Sequence, residues 1–425
     1  MEKPNIDTSK PAIERGNMPL VGKLKFYFKN PIVDGYFSYV LAFGARGGAD
    51  VGEAFFAASR IRQYDTESWV REFTSLAKRV AEQAEQAQAV GHYITARETF
   101  LRASYLNRAA LMSLSPNKEP DRYLEICERV RSHFNMAAAL FDTPIEPVSI
   151  PFRNHILRGY FIKTDTSSEP RPTLINAGGG ESFAEDMCLL FGIGDASRGY
   201  NHLTVDMPGQ GSTFIEGMKM TPQAEEPLGA IVDYALSRND VDPDRLAMFG
   251  PSFGGYAVPR AAVHDKRIKA IVVNSLILNL YDYLVQAKEL LILARLERMP
   301  GFKLFTRLTG SWLAGLYNIM DIWKYKWGVS TMAEWLEACK EYVVDPSEIT
   351  CPTLLLIGED EYAYPNSQHF QHEALAKIQN PIKNLAIGRT DMGAGGKNML
   401  PNLTAIRHTT FDWLDEVFAA KRDLA

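Results

Sequence analysis

The sequence predicts an α/β fold: a mostly parallel sheet with helices on both faces, preceded by an all-helical unit and interrupted late by a helical lid. Three observations predict it. Short apolar runs (PTLIN, HLTV, RLAMF, IKAIVVN, CPTLLLIG) alternate with helical stretches between residues 172 and 358, as buried parallel strands joined by crossover helices do. Ahead of them, nearly every segment of residues 26–140 has helical period. One of the apolar runs ends in a serine set between glycines, and a helical stretch follows at once.

The elements follow in order. Residues 1–20 form a polar arm. Residues 68–90 (SWVREFTSLAKRVAEQAEQAQAV) and 95–112 place apolar side chains three and four apart, which lines one face of a helix. The loop SLSPNKEPDR breaks the series, and a further helix runs to about residue 140. The pattern changes at Pro144, so the predicted division is a helical domain over 1–143 and an α/β core over 144–425. Within 147–163, VSIPF and LRGYFIK read as short strands around a turn at Arg153 and Asn154. A weak strand, KNLAIG, comes last. Residues of about 278–345 interrupt the alternation and are rich in aromatics. An insertion there lies over the strand C-termini as a lid, with Trp312, Tyr317 and Trp323 as expected pocket residues.

Composition narrows the class. The 425 residues exceed one compact core, and 46% hydrophobic with 23% charged residues is ordinary for a globular protein. The net charge of −5 comes without a basic block, which argues against nucleic acid or a membrane surface as partner. Cys127, Cys188, Cys339 and Cys351 are scattered without CxxC spacing, so a reducing compartment and no metal site are expected. The polar N-terminus lacks a signal core, and no stretch approaches the roughly 18 apolar residues of a membrane span. The expectation is a cytoplasmic protein.

The chemistry centres on Gly250-Pro251-Ser252-Phe253-Gly254, which matches G-x-S-x-G. Between an apolar strand and a helix, this motif is the nucleophile elbow of the α/β-hydrolase fold. Small flanking residues let strand and helix pass closely, so the serine hydroxyl projects above the sheet. The Phe253 N–H, at the helix start, is a candidate oxyanion donor. The loop Gly178-Gly179-Gly180 leaves an earlier strand, and Gly179 or Gly180 is expected to supply the second donor.

An acid is expected after a late strand, and LLLIG runs into Glu359-Asp360-Glu361. Asp360 has the more usual residue type and Glu361 the better spacing, so both stay open. A histidine should then precede the last helix, and none does. The eight histidines are His92, His133, His155, His202, His264, His369, His372 and His408. The loop of residues 388–403, GRTDMGAGGKNMLPNL, holds none.

These residues carry a family resemblance. The block GGADVGEAFFAASRIRQYDTESWVREF at residues 47–73, the segment ARETFLRASYLNRAA, and the motifs DMPGQG, GPSFGGY, CPTLLLIGEDE and NLTAIRHTTFDWLDEVF resemble the fungal hydrolases of polyketide and polyketide–nonribosomal peptide clusters. That group includes the fusarin and cytochalasan hydrolases and the heptaketide hydrolyase of melanin synthesis. FrsA-like proteins and 2,6-dihydroxypseudooxynicotine hydrolase are more distantly similar. The resemblance implies a helical domain closing over the serine, homodimers, a bulky apolar polyketide-type substrate, acyl or carbon–carbon hydrolysis, and neither metal nor organic cofactor. Matching Asn402-Leu403 to the family's closing motif puts Lys397 at or beside the place of the catalytic histidine. Three readings follow. Lys397 serves Ser252 as base, another histidine enters from the helical domain, or the site performs a non-hydrolytic cyclisation, condensation or pericyclic closure.

Overall fold

A computed structural model describes residues 24–62, 65–302 and 312–422. The chain opens with α1 (Pro31–Gly44), α2 (Val51–Arg60), α3 (Thr66–Ala89), α4 (Tyr93–Leu111) and α5 (Pro120–Ala138). Their starts are encoded locally. The Asn30 side chain accepts from Ile32 N–H ahead of Pro31, Asp50 and Glu53 form a capping box, and Asp65 accepts from Ser68 N–H. Each satisfies an N–H that the helix itself leaves unpaired. Small buried residues, among them Ala77, Ala84, Ala96 and Ala103, let α3 and α4 approach closely, and Trp69 Nε1 donates to the Ala109 carbonyl across that pair (2.8 Å).

The core follows with β1 (Ile145–Phe152), β2 (His155–Ile162), β3 (Arg171–Asn176), α6 (Ala184–Leu190), β4 (Asn201–Val205), α7 (Glu225–Leu236), β5 (Val241–Pro251), α8 (Gly254–His264) and β6 (Ala270–Asn274). The described part of the insertion holds α9 (Leu280–Val285), α10 (Lys288–Leu296), α11 (Trp312–Trp327) and α12 (Met332–Ala338). The chain closes with β7 (Thr353–Gly358), α13 (Glu359–Tyr362), α14 (Pro365–Lys377), β8 (Lys383–Gly388) and α15 (Leu403–Arg422).

Among the described residues, eight strands form one sheet in the order β1-β2-β4-β3-β5-β6-β7-β8. β1 and β2 are an antiparallel hairpin, β2 also runs antiparallel to β4, and every later pairing is parallel. Alternate residues of each central strand enter different cores, as the two-residue period of a strand requires. Ile175, Met248, Ile271 and Leu355 pack with α7, α8 and the insertion. Leu174, Ala247, Phe249, Val272 and Leu356 pack instead with α15 and the N-terminal helices. The helical segment is therefore one of the layers that cover the sheet.

The insertion leaves and rejoins the core side by side. Leu280 N–H donates to Tyr342 O (3.1 Å) and Val344 N–H to Leu278 O (2.9 Å), which closes the lid's stem above the C-terminal ends of β6 and β7. No described helix is long and apolar enough to cross a membrane.

Candidate active site

Ser252 sits on the strand-turn-helix that the motif predicts. β5 ends at Pro251, opposite Asn274 of β6, and Ser252 takes φ +54°. This left-handed conformation costs a side-chain-bearing residue of the order of 1–3 kcal/mol and is found where structure over-determines it. Here its N–H donates to Asn274 O (2.6 Å). A Cβ on Gly250 would lie 2.2 Å from the Gly254 carbonyl oxygen, so only glycine lets α8 pass the strand this closely. Phe253 opens α8, and its N–H has no acceptor within the helix.

The glycine loop lies against the serine: a Cβ on Gly179 would be 3.2 Å from Ser252 Cβ. The Gly179 N–H already donates to Ser182 Oγ (2.7 Å), which leaves Gly180 as the better-suited second oxyanion donor. Three successive carbonyls of this loop are held from three parts of the chain. Gly179 O accepts from Gln210 Nε2 in the core (2.8 Å), Gly180 O from Lys326 Nζ on α11 (2.6 Å), and Glu181 O from the Arg108 guanidinium on α4 (2.6 Å). Gln210 belongs to DMPGQG and also bonds Ala177 O (3.0 Å).

The two carboxylates after β7 point apart. Asp360 is buried and accepts from Thr390 Oγ1 (3.1 Å). Glu361 is also buried and accepts from Ser275 Oγ (2.7 Å), Tyr283 OH (2.7 Å) and Asn398 N–H (3.0 Å). Its charge is felt at Lys397, one residue before Asn398. Burial lowers the Lys397 ammonium below its ordinary pKa, while Glu361 and then Glu181 pull it back up. Lys397 lies on a tight loop in which Asn398 and Met399 have φ +53° and +54°, pinned by Asn274 Nδ2 donating to Asn398 O (2.7 Å).

Ser252 and Lys397 line one chamber with two adjoining lobes. Both lobes also share Tyr36, Tyr39, Glu181 and Trp323. The first, under the insertion, is walled by apolar side chains including Leu280, Leu284, Met320, Trp327 and Trp335. The second, under the helical segment, adds Tyr105, Arg108, Tyr123, Asp186, Lys326 and Asn398.

The chain is similar to known proteins along most of its length. A family model described as esterase FrsA-like matches residues 58–296. The 20-hydroxy-prefusarin hydrolase FUS2 of Gibberella moniliformis is 30% identical over 89% of this chain and 94% of its own. The chain belongs to the FrsA-like esterase family. The hydrolase LUC6 of a Fusarium species is 29% identical over 88% of this chain and 94% of its own. The hydrolyase poxO of Penicillium oxalicum is 25% identical over 92% and 98%. Among solved structures, 2,6-dihydroxy-pseudo-oxynicotine hydrolase superposes with a TM-score of 0.70 at 22% identity, over 90% of this chain and 96% of its own. AbyA5 superposes at 0.63 and 16%, over 91% and 95%. These two establish the shared α/β-hydrolase architecture. Family and fold thus agree with the expected resemblance, and this FrsA-like chain is an enzyme of the hydrolase class.

Every histidine of this FrsA-like chain lies within the described residues, and none lines the chamber. His92 precedes α4, His155 starts β2, and His408 is exposed on α15. His133 stacks on Phe100. His202 is buried between Phe191 and Phe411, where burial holds its pKa down at about 3 and so keeps it neutral. His264 faces Glu225, His369 pairs with Glu373, and His372 bonds Tyr362. The expectation of a histidine entering from the helical domain finds no candidate.

Of the expected lid residues, Trp323 lines both lobes. Tyr317 does not. It turns to the far side of α11 and donates to Glu297 Oε1 (2.7 Å), because helical period places it with Lys324 rather than with Leu316, Met320 and Trp323. The side chain of Trp312 lies outside the described residues. Sequence reasoning missed Tyr36, Arg108, Glu181 and Lys326. Glu181 had a signal, since it directly follows the glycine triplet; the other three lie on helices whose facing is set only by packing.

Proposed function

We propose that this enzyme hydrolyses an acyl or carbon–carbon bond of a bulky, largely apolar small molecule of polyketide type, with Ser252 as nucleophile and Lys397 as its base. One observation carries the reading: a serine on a left-handed elbow and an enclosed lysine of lowered pKa line the same chamber. Neutral Lys397 takes the Ser252 Oγ proton as Oγ attacks the substrate carbonyl. The oxyanion accepts from the N–H groups of Phe253 and Gly180. Lys397 returns the proton to the departing group, carbanion or alkoxide, leaving an acyl-serine. Water gives a proton to Lys397 and attacks the ester, and Lys397 passes that proton to the departing Ser252 Oγ, which frees the acid and the serine. The Glu361 charge raises the Lys397 pKa against burial, and three hydrogen bonds keep that carboxylate fixed. The apolar lobe suits a long hydrocarbon portion, and the prefusarin named for one relative supports a polyketide-type substrate.

A fluorophosphonate probe tests the nucleophile. Labelling of the parent enzyme that disappears in Ser252→Ala is the expected outcome; absence of labelling in the parent removes the activated serine from the mechanism. A second reading has one observation in its favour, the absence of any histidine from the chamber. In it the pocket guides cyclisation or another non-hydrolytic closure. An unlabelled serine, together with accumulation of an uncyclised precursor in a deletion strain, would favour that reading.

A further inference from the structure

Most polar side chains of the second lobe are already engaged. Arg108 Nε donates to Asp186 Oδ2 (2.9 Å) and its terminal nitrogen to Glu181 O. Lys326 is held by Gly180 O, and Tyr105 OH donates to Tyr39 O (3.2 Å). Tyr36 differs. Its side chain is 8% exposed, it lines both lobes, and its hydroxyl meets no hydrogen-bond partner among the described residues. Buried hydroxyls are almost always paired, and one left unpaired calls for a reason. The ring is not there by default of space: Tyr36, on α1, packs against Trp69 of α3 (6.2 Å), and the start of α1 is fixed by the Asn30 cap and by Asp34 accepting from Phe26, Tyr27 and Phe28 N–H groups. Burial, with Glu181 adding to it, raises the phenol well above its ordinary pKa, so it stays a protonated donor.

We propose that Tyr36 is a substrate-binding residue whose hydroxyl donates to an oxygen of the substrate beyond the reacting carbonyl, drawing an oxygen-bearing end into the second lobe and directing the hydrocarbon end under the lid. The substrate class is then an amphipathic ketone or acyl compound with a second carbonyl or enol oxygen close to the bond attacked, as in a 1,3-dicarbonyl. The assignment rests on Ser252 marking the reacting centre between the lobes. A hydroxyl whose only partner is the ligand favours oxygenated substrates, because the analogue lacking that oxygen leaves the phenol unpaired.

The test uses two probes with the same carbon chain, tetradecane-2,4-dione and tetradecan-4-one. Their binding to the full-length Ser252→Ala protein is followed by the fluorescence of the chamber tryptophans. The expected result is a preference for the dione of about tenfold. Adding Tyr36→Phe should erase that preference, leave the monoketone affinity unchanged, and leave the thermal midpoint unchanged or raised, since the ring packing stays and an unpaired hydroxyl goes. The proposal is overturned if the preference survives Tyr36→Phe, if both ketones weaken together, or if the Ser252→Ala protein shows no preference or binds neither. Turnover of the dione by the parent enzyme is scored separately. A Tyr36-dependent preference without Ser252-dependent turnover would sink the hydrolytic reading and leave the binding role standing.

Discussion

Lys397 stands on a backbone that few side chains accept. The two residues after it are both left-handed, and Met399 has neither the missing Cβ of glycine nor the local hydrogen bonding of asparagine to ease that conformation. The surroundings hold it. Glu361 accepts from Asn398 N–H and Asn274 donates to Asn398 O. A loop fixed in this way presents the amine with little freedom, as a base requires. The pH dependence follows in sign. Lys397 accepts the serine proton only when neutral, and burial lowers its pKa, so kcat/KM should rise with pH through that lowered pKa and level off above it. A plateau reached only at the ordinary lysine value of about 10.4 would contradict the role. Lys397→Ala should lose of the order of a thousandfold or more in rate along with the rising limb, and retained activity would end the Ser-Lys proposal. Lys397→His, if it restores ester hydrolysis with a limb near neutral pH, marks the position as that of a replaced histidine. At this scale the sequence narrowed the candidate acid to two neighbours and no further. Asp360 and Glu361 are one residue apart on a single turn, and only the bonds from Ser275, Tyr283 and Asn398 show which carboxylate meets the loop carrying Lys397.

Among the elements, α11 does the most for the site beyond the elbow itself. Its inward face contributes Trp323, so close to the oxyanion loop that a Cβ on Gly180 would lie 2.7 Å from the indole. Lys326, one helical turn along, ties down the Gly180 carbonyl. The outward face braces the insertion internally: Tyr317, Lys324 and the Met332 N–H all converge on Glu297. Burial pushes Lys326 down to about 8 while the Glu181 charge opposes it, and either protonation state retains an N–H for the carbonyl. In the proposed mechanism Lys326 is a positioning residue that couples the lid to the glycine loop. Lys326→Met should lower kcat by about ten- to a hundredfold with KM little changed, since a charge-assisted hydrogen bond contributes about 1.5–3 kcal/mol. A raised KM with unchanged kcat would instead make it a substrate contact. The aromatic content of the insertion was plain in the sequence, yet which aromatics face the chamber was not, because helical period fixes relative facing and the neighbouring layers choose the absolute one.

The whole molecule is held to its site by a charge pair that joins the helical segment to the core. Arg108 of α4 and Asp186 of α6 meet at 2.9 Å with both side chains buried. Burial raises the Asp186 carboxyl above its ordinary value, and Arg108 opposes that rise. Removing one partner leaves the other charge buried and alone, which costs about 3–5 kcal/mol, whereas replacing both by apolar groups is often neutral. Arg108→Met should therefore lower the thermal midpoint by several degrees and slow catalysis through the freed Glu181 carbonyl. Arg108→Met with Asp186→Leu should recover most of the stability without recovering the rate. A double variant no more stable than Arg108→Met alone would show that the pair does not hold the two parts together. By itself the sequence determined the strand alternation, the elbow at Ser252, the interrupting lid and the missing histidine, because each is written in short-range pattern: burial period, glycine spacing, residue identity. Only the tertiary structure decided that the glycine loop is held at three consecutive carbonyls from core, lid and helical segment, and that Glu361 rather than Asp360 bonds the loop carrying Lys397. It also decided that Tyr36 reaches the chamber. Those contacts join residues as much as 146 positions apart, and no local period records which face of one element will meet another once the layers close.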